Sequence, residues 1–143
     1  MNTTTEKRVV TPGEWASAVE EARAAGFTTF DHLCGVDRAY DVAQPGIDLV
    51  VRLLDTSVPG RLRALQVTTR VTEPVASLTA IFPGAAWHER ETAEMFGVSF
   101  TGFDDGVTDT PRPLLLPPGF EGHPLRKEFA LTARDVLPES EVR

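Results

Sequence analysis

The densest group of chemically versatile side chains in the 143-residue chain is the run His88–Glu91, which Glu94 closely follows. If this stretch is helical, Glu91 and Glu94 lie on one face of the helix. Two carboxylates on one face can serve general acid–base catalysis, and His88 beside Glu91 offers two metal ligands. The helical zinc sites of metalloproteases place two histidines four residues apart around a glutamate, whereas Thr92 stands at that distance from His88. The metal interpretation therefore lacks a ligand.

Two other interpretations fit the same run. A solvated helix with internal ion pairs accounts for the charges, because Arg90 lies one helical turn from Glu94. A contact surface also accounts for the neighbouring residues Trp87, Met95 and Phe96, since aromatic, methionine and arginine side chains are enriched in interfaces. We therefore favour an interface role for this helix.

A second group of functional side chains lies in the run Gly119–Lys127. The proline after His123 favours an extended backbone at the histidine, and the planar guanidinium of Arg126 suits carboxylates. No Lys-Ser or Lys-Thr pair enters a helix here, so a phosphate-binding loop is not indicated. An ordered turn anchored by salt bridges of Arg126 is the favoured interpretation, and a pairing of Arg126 with one of the helix carboxylates is a further hypothesis. A free-standing hydrolase in which Glu91, Glu94 and His123 converge stays as an alternative.

The elements that must position these groups begin with a helix over Pro12–Ala25, which Thr11 and Glu14 cap. Alternating apolar residues then predict three strands joined in sequence as an antiparallel meander. Their approximate ranges are 27–36, 47–53 and 61–71. The first helix covers one face of this small sheet, and the predicted fold class is therefore α+β.

Two further helices and a long tail are predicted after the meander. A short helix spans Ser77–Phe82, and a longer one spans Ala85–Phe96 and ends at Gly97. Six of the eleven prolines follow residue 110, with large apolar residues among them. A long stretch of this kind is uncommon in a compact domain without a function, and wrapping a partner is the simplest one. We predict an α+β domain over residues 1–102 and an extended partner-binding segment over residues 103–143.

Composition and charge exclude several classes of function. The 14 lysine and arginine residues against 21 aspartate and glutamate residues give a net charge of −7, which disfavours a binder of nucleic acid or of anionic membranes. Cys34 is the single cysteine, so the chain by itself builds no disulfide and no cysteine-ligated iron–sulfur cluster. The unbroken apolar runs are short and Met1–Val10 is polar, so we expect neither a membrane span nor a signal peptide.

Three stretches together resemble a known family: Glu89–Gly102, Leu114–Pro117 and Glu121–Phe129. The Glu-Arg-Glu-x-x-Glu-Met-Phe-Gly helix and the distant Gly-His-Pro-Leu-Arg-Lys motif are similar to the C-type subunit of the proton-pumping NADH:quinone oxidoreductase, the 30 kDa-type subunit of respiratory complex I. The same module occurs in group 4 nickel–iron hydrogenases and related dehydrogenases. One motif departs from the family pattern, because Gly102-Phe103-Asp104-Asp105 stands where the family has Gly-His-Pro-Asp, and the loop after it is longer.

The resemblance implies an α+β fold and a non-catalytic, structural or assembly role in the peripheral arm of the complex. It implies that the chain itself binds no cofactor, since FMN, the iron–sulfur clusters and quinone belong to other subunits. The expected partners are the large, D-type quinone-site subunit and the cluster-bearing subunits of that arm. The expected location is peripheral, on the cytoplasmic side of the cell membrane. The equivalent subunit of a group 4 hydrogenase or of another quinone-reducing dehydrogenase is the close alternative.

The residues assigned to the partner interface come from the two matching motifs. They are Glu89, Arg90, Glu91, Glu94, Met95, Phe96, Gly97, Gly122, His123, Pro124, Leu125, Arg126 and Lys127. The charged residues of the helix are expected to form a partner-facing or helix-to-tail ion-pair network, residues 95–97 to close the helix, and residues 122–127 to dock the tail.

Overall fold

A four-stranded mixed sheet organises the part of the chain that the computed structural model describes, residues 2–131. The strands are β1 (Asn2–Val10), β2 (Thr29–Asp37), β3 (Ile47–Asp55) and β4 (Arg61–Val71), and they lie in the order β1-β4-β3-β2. Strands β2, β3 and β4 pair antiparallel, as the predicted meander requires, and β1 pairs parallel with β4. The α+β class is confirmed.

Among the described residues, two α-helices accompany the sheet, and both begin and end close to their predicted positions. Helix α1 (Trp15–Ala24) follows a 3₁₀ turn at Pro12–Glu14, where the Glu14 carboxylate accepts hydrogen bonds from the backbone N–H and the hydroxyl of Thr11. Helix α2 (Ala85–Phe96) ends at Gly97, whose φ of 72° is the left-handed conformation that glycine adopts without strain. The capping residues in the sequence therefore predicted where both helices lie.

The hydrophobic core lies on the face of the sheet that α1 covers. Alternate residues of β3 are buried, from Ile47 through Leu49 and Val51 to Leu53, which is the expected period of two. Trp15 and the other apolar residues of α1 pack into the same cluster.

The first element of the fold is β1, so the prediction that the chain begins with a helix is wrong. Residues 3–9 of β1 are all exposed, so neither face of the strand is buried along this stretch. A strand of this kind lacks the inward–outward alternation that identifies half-buried strands in a sequence. Pairing with β4, and the β-branched threonines and valines, account for its conformation.

The predicted short helix over Ser77–Phe82 is also wrong. The chain forms a two-residue strand, β5 (Val75–Ala76), which pairs with β6 (Phe100–Thr101), and then a single turn in which the N–H of Phe82 donates to the Leu78 carbonyl. The backbone N–H of Leu78 is bonded to a side chain of α2 and the N–H of Thr79 to the Ser77 hydroxyl. Serine and threonine hydroxyls compete with helix formation in this way.

Residues 102–131 contain no helix or strand, as their prolines predict. They do not reach away from the domain, because residues 112–127 repeatedly contact α2 and the end of β2. Residues 103–131 are called the docked segment below. The remainder of the predicted tail, residues 132–143, lies outside the described residues.

Helix α2 covers the edge of β2. The Nδ1 atom of His88 lies 3.1 Å from the Leu33 carbonyl oxygen and 3.3 Å from its backbone nitrogen, and the imidazole packs edge-on against Phe30. A covered edge cannot pair with a foreign strand. Gly35 makes the close approach possible, since a Cβ atom there would lie 2.7 Å from the ring of Phe96.

Replacing Gly35 by alanine is expected to destabilise the fold by about 1–3 kcal/mol, because the added methyl group forces Phe96 out of its site. Chemical denaturation of the full chain measures the change. Gly13→Ala is the matched control, since a Cβ atom at Gly13 meets nothing within 4 Å. Equal stability of the two variants would show that the Gly35–Phe96 approach is not a constraint.

Candidate functional site

The face of α2 that carries Arg90 and Glu94 binds the docked segment through its backbone. The carboxylate of Glu94 accepts hydrogen bonds from three consecutive backbone N–H groups, at 3.2 Å from Leu114, 2.8 Å from Leu115 and 3.0 Å from Leu116. Partial burial acts to raise the pKa of Glu94, but these N–H groups outweigh it, and the pKa lies below its usual value. Glu94 is therefore held as an anion that organises the segment.

Arg90 complements Glu94 by binding carbonyl groups of the same segment. Its Nε atom donates to the carbonyl of Arg112 at 3.1 Å, and a terminal nitrogen donates to the carbonyl of Pro113 at 2.8 Å. The guanidinium carbon lies 5.4 Å from the centroid of the Trp87 ring. One turn of α2 thus supplies an acceptor for the N–H groups and a donor for the carbonyls of a stretch that has no strand partner.

The C-terminal turn of α2 is capped by residues of the second motif. The imidazole Nδ1 of His123 lies 2.9 Å from the Glu94 carbonyl oxygen, and the N–H of Leu125 donates to the Met95 carbonyl. The Nε atom of Arg126 donates to the Phe96 carbonyl at 2.7 Å. These are carbonyls that a helix end leaves without an intrahelical partner.

Two glycines leave room for the residues that cap α2. A Cβ atom at Gly97 would lie 2.5 Å from Nε2 of His123, and one at Gly122 would lie 2.9 Å from the Phe129 ring. Pro124 is half-buried directly after His123. Glycine at these positions therefore provides both the positive φ and the room for the docked segment.

The hypothesis that Arg126 pairs with a carboxylate of α2 is wrong. Besides the Phe96 carbonyl, Arg126 contacts Glu128, at 3.4 Å. Lys127 anchors the segment with its backbone, because its N–H donates to the Asp37 carboxylate at 2.6 Å. That bond is the main cause of the lowered pKa of Asp37.

Glu89 has a different role from the other acidic residues of α2. Its side chain is fully buried, with Oε1 at 2.6 Å from the N–H of Leu78 and Oε2 at 2.6 Å from the Ser77 hydroxyl. Burial raises the pKa of Glu89 to about 7, and the two hydrogen bonds oppose that rise. The prediction that Glu89 faces a partner therefore does not hold for this residue.

The docked segment turns its polar backbone toward α2 and several large apolar side chains toward solvent. The exposed fraction is 61% for Leu115, 41% for Phe120 and 53% for Leu125. Trp87 of α2 is also exposed, by 64%. An ordered stretch that displays apolar side chains is typical of a surface that contacts another protein.

The loop that follows Gly102 is closed by contacts of Asp105. Phe103 is buried, and the Asp105 carboxylate accepts bonds from the N–H groups of Val107 and Thr108. Arg112 closes the loop with an ion pair to Asp105 at 3.0 Å. Asp105 therefore satisfies two backbone N–H groups of the loop and holds its end through Arg112.

The residues proposed for a hydrolase do not converge. A cavity of about 240 Å³ between α2 and the docked segment is lined by Glu94 and His123, but not by Glu91, which is exposed. Both carboxylate oxygens of Glu94 are occupied by N–H groups, and His123 is bonded to a carbonyl. Within residues 2–131, no cluster of three or more histidine, cysteine, aspartate or glutamate side chains could hold a metal ion.

Sequence reasoning missed Asp37, Ser77, Thr79 and Asp105 as members of this site. Each acts through a contact with a residue distant in sequence or through a backbone N–H group. The signal available for Asp105 was its place at the start of a turn, where an aspartate commonly bonds N–H groups two residues on. Spacing alone gives no comparable signal for the other three.

The fold and site define a class: an α+β domain whose second helix binds an irregular C-terminal segment and leaves an apolar surface exposed. The family model of the respiratory-chain NADH dehydrogenase 30 Kd subunit matches residues 8–135. The chain belongs to this family.

Similar proteins agree with this assignment. The C subunit of NADH-quinone oxidoreductase from Sinorhizobium medicae (strain WSM419) is 44% identical over 107 residues, which are 75% of this chain and 49% of that protein. The C subunit from Methylobacterium sp. (strain 4-46) is 40% identical over 127 residues, 87% of this chain and 55% of that protein. The chain thus spans about half the length of these relatives.

A solved structure of a trypsin-resistant fragment of Nqo5 (1–134) has a similar fold. The TM-score is 0.61 at 20% sequence identity, and the match covers 71% of this chain and 82% of that one. Among the described residues, no helix is long and apolar enough to cross a membrane.

Glu89→Gln is expected to remove a pH dependence of folding stability. The pKa of Glu89 is raised from 4.5 to about 7 in the folded chain, so its contribution to stability is complete below pH 4.5 and is lost as the pH rises through 7. The wild-type free energy of unfolding should fall by about 1 kcal/mol more than that of the variant between pH 6 and pH 8. Urea denaturation across this range measures it, and parallel profiles would contradict the assignment.

Glu94→Gln is expected to release the backbone of the docked segment. The amide oxygen of glutamine is expected to take the place of Oε1, which accepts from Leu114 and Leu116, and the NH₂ group that of Oε2, so the N–H of Leu115 loses its partner. Hydrogen exchange at that amide should accelerate by at least about fivefold, which corresponds to a loss of about 1 kcal/mol. Glu91→Gln is the control, because Glu91 is exposed. The same acceleration in both variants would argue against a specific role for Glu94.

Proposed function

We propose that the chain is an accessory, non-catalytic subunit of the peripheral arm of an NADH:quinone oxidoreductase, with a role in structure and assembly. Family membership and the names of its relatives support this proposal. The observation that supports it most directly is the way the docked segment packs. Its backbone forms hydrogen bonds with α2, whereas the side chains of Leu115 and Leu125 face solvent.

The partner is proposed to be the large quinone-site subunit, beside the cluster-bearing subunits. Exposed apolar side chains on an ordered backbone support a preformed docking surface. Because this backbone is already ordered, binding a partner costs little further conformational entropy. The exposed surface that includes Trp87, Leu115, Phe120 and Leu125 is the proposed contact. The complex would lie peripherally on the cytoplasmic side of the cell membrane.

The redox groups are proposed to lie on other subunits. FMN and quinone need binding sites, and iron–sulfur clusters usually need several cysteine ligands, whereas Cys34 is the single cysteine of this chain. Burial raises the pKa of the Cys34 thiol, which disfavours the thiolate that binds iron. The contribution of this subunit is therefore proposed to be structural.

The test is affinity purification of the tagged chain from gently solubilised native membranes, with mass spectrometry of the retained proteins. The quinone-site subunit should be recovered together with NADH-binding and cluster-bearing chains. Recovery of a nickel-containing large subunit would contradict the NADH assignment and favour the hydrogenase alternative. A monomer without these chains would overturn the proposal.

The contact surface is tested with Leu115→Ser and Leu125→Ser combined. Recovery of the quinone-site subunit should fall at least about tenfold, as expected when central apolar contacts are lost. Val42→Ser and Val58→Ser combined form the control, since both valines are exposed in loops outside the docked segment. Undiminished recovery with the leucine variant would place the interface elsewhere.

A further inference from the structure

A buried chain of polar groups connects α2 to the start of the docked segment. Oε2 of Glu89 lies 2.6 Å from the Ser77 hydroxyl, which lies 2.8 Å from the Thr79 hydroxyl. The Thr79 hydroxyl accepts the backbone N–H of Asp104 at 3.2 Å. Glu89, Ser77 and Thr79 are all buried, so the contacts cannot be exchanged freely for water.

The hydrogens of this chain match its contacts when Glu89 is ionised. A carboxylate only accepts, so the Ser77 hydroxyl must donate to Glu89 and the Thr79 hydroxyl must donate to Ser77. The N–H groups of Leu78, Thr79 and Asp104 supply the other three bonds. Each N–H and O–H hydrogen of the cluster then has one acceptor. The hydroxyl hydrogens of Ser77 and Thr79 both point along the chain toward Glu89 of α2.

Protonation of Glu89 adds one hydrogen for which the cluster has no acceptor. The N–H of Leu78 can only donate to Oε1, so the proton must sit on Oε2 and point at the Ser77 oxygen. Ser77 then turns its hydrogen toward Thr79, and the Thr79 hydrogen loses the acceptor that it had. The Thr79 oxygen is no longer polarised by a chain of donors that ends on an anion, which weakens the bond from Asp104.

Two opposing effects hold Glu89 between these states. Burial favours the protonated form, and the bonds from Ser77 and Leu78 favour the ionised form. The charged neighbours have other contacts: Arg90 binds the carbonyls of residues 112 and 113, and the Asp104 carboxylate accepts the N–H of Gly106. The turn over residues 77–82 brings no charged side chain to the cluster.

We propose that Glu89, Ser77 and Thr79 form a protonation-sensitive latch that sets how firmly the docked segment is held at Asp104. Ionised Glu89 aligns both hydroxyls and strengthens the Asp104 bond, whereas protonated Glu89 reverses Ser77 and weakens it. The only covalent change is the transfer of one proton between water and Oε2 of Glu89. The latch is a property of the chain itself and does not depend on the partner proposed above.

The test is NMR of the full chain between pH 5.5 and pH 8.5, with the amides of Leu78 and Asp104 as reporters. Leu78 bonds directly to Glu89 and reports its ionisation, whereas Asp104 is reached only through Thr79 and Ser77. Both amide proton shifts should move downfield with one midpoint near pH 7. The protection of the Asp104 amide from exchange through local opening should rise with the same midpoint, although the free energy of global unfolding falls over this range.

Three variants separate the latch from other causes. In Glu89→Gln the shared titration should vanish, although His88 and His123 are retained. In Thr79→Val the Leu78 amide should still titrate, whereas the Asp104 amide should not. Thr79→Ser keeps the hydroxyl and should restore the titration of the Asp104 amide.

A Leu78 amide that titrates without Asp104 in the wild-type chain would overturn the proposal. So would an Asp104 titration that survives Glu89→Gln or Thr79→Val, or a Leu78 amide that does not titrate in this range. Because the valine variant keeps Glu89, a folding defect in Glu89→Gln would leave the test intact. The readout is independent of partner binding, so its failure leaves the proposed function unaffected.

Discussion

The organisation of the C-terminal part of the described chain depends on one requirement, that backbone N–H and C=O groups without a helix or strand find other partners. Such groups cost free energy if they are shielded from water and left unpaired. The side chains of Arg90 and Glu94 satisfy this requirement by binding carbonyls and N–H groups of the same stretch. The docked segment, in return, caps the end of α2. Helix and segment therefore stabilise each other, and neither is complete alone.

This exchange of backbone bonds explains why several large apolar side chains of the segment remain outside, although Phe103 is buried and Leu116 packs against the core. A segment seated by its side chains buries its leucines, whereas one seated by its backbone leaves Leu115 and Leu125 exposed. Hydrogen bonds to charged groups contribute about 1.5–3 kcal/mol each, which is enough to order a short stretch without a core of its own. Order without burial is useful to a protein that binds another, because the apolar surface is already in position.

Capping residues and periodicity were sufficient to predict α1, α2 and the three antiparallel strands, because those signals act within a few residues. The same reasoning missed β1, whose exposed residues carry no alternation. It also placed a helix at Ser77–Phe82, where the N–H of Leu78 is bonded to Glu89 from a distant helix. For the site, the two motifs lie in contact, but Arg126 binds a helix carbonyl rather than a carboxylate of α2. Contacts between distant residues decided each of these differences.

Glu89 and Glu94 show why a charge pattern alone does not assign roles. Five residues on a helix correspond to a rotation of about 140°, so the two side chains leave α2 on different faces. Glu89 enters a buried site with two hydrogen-bond donors, and its pKa rises to about 7. Glu94 lies under three N–H groups of the docked segment, and its pKa falls. Both carboxylates hold the same segment, Glu94 at residues 114–116 and Glu89, through Thr79, at Asp104. Because only the buried one has a pKa near neutrality, a change of pH around 7 acts on the start of the segment and leaves the Glu94 contacts in place.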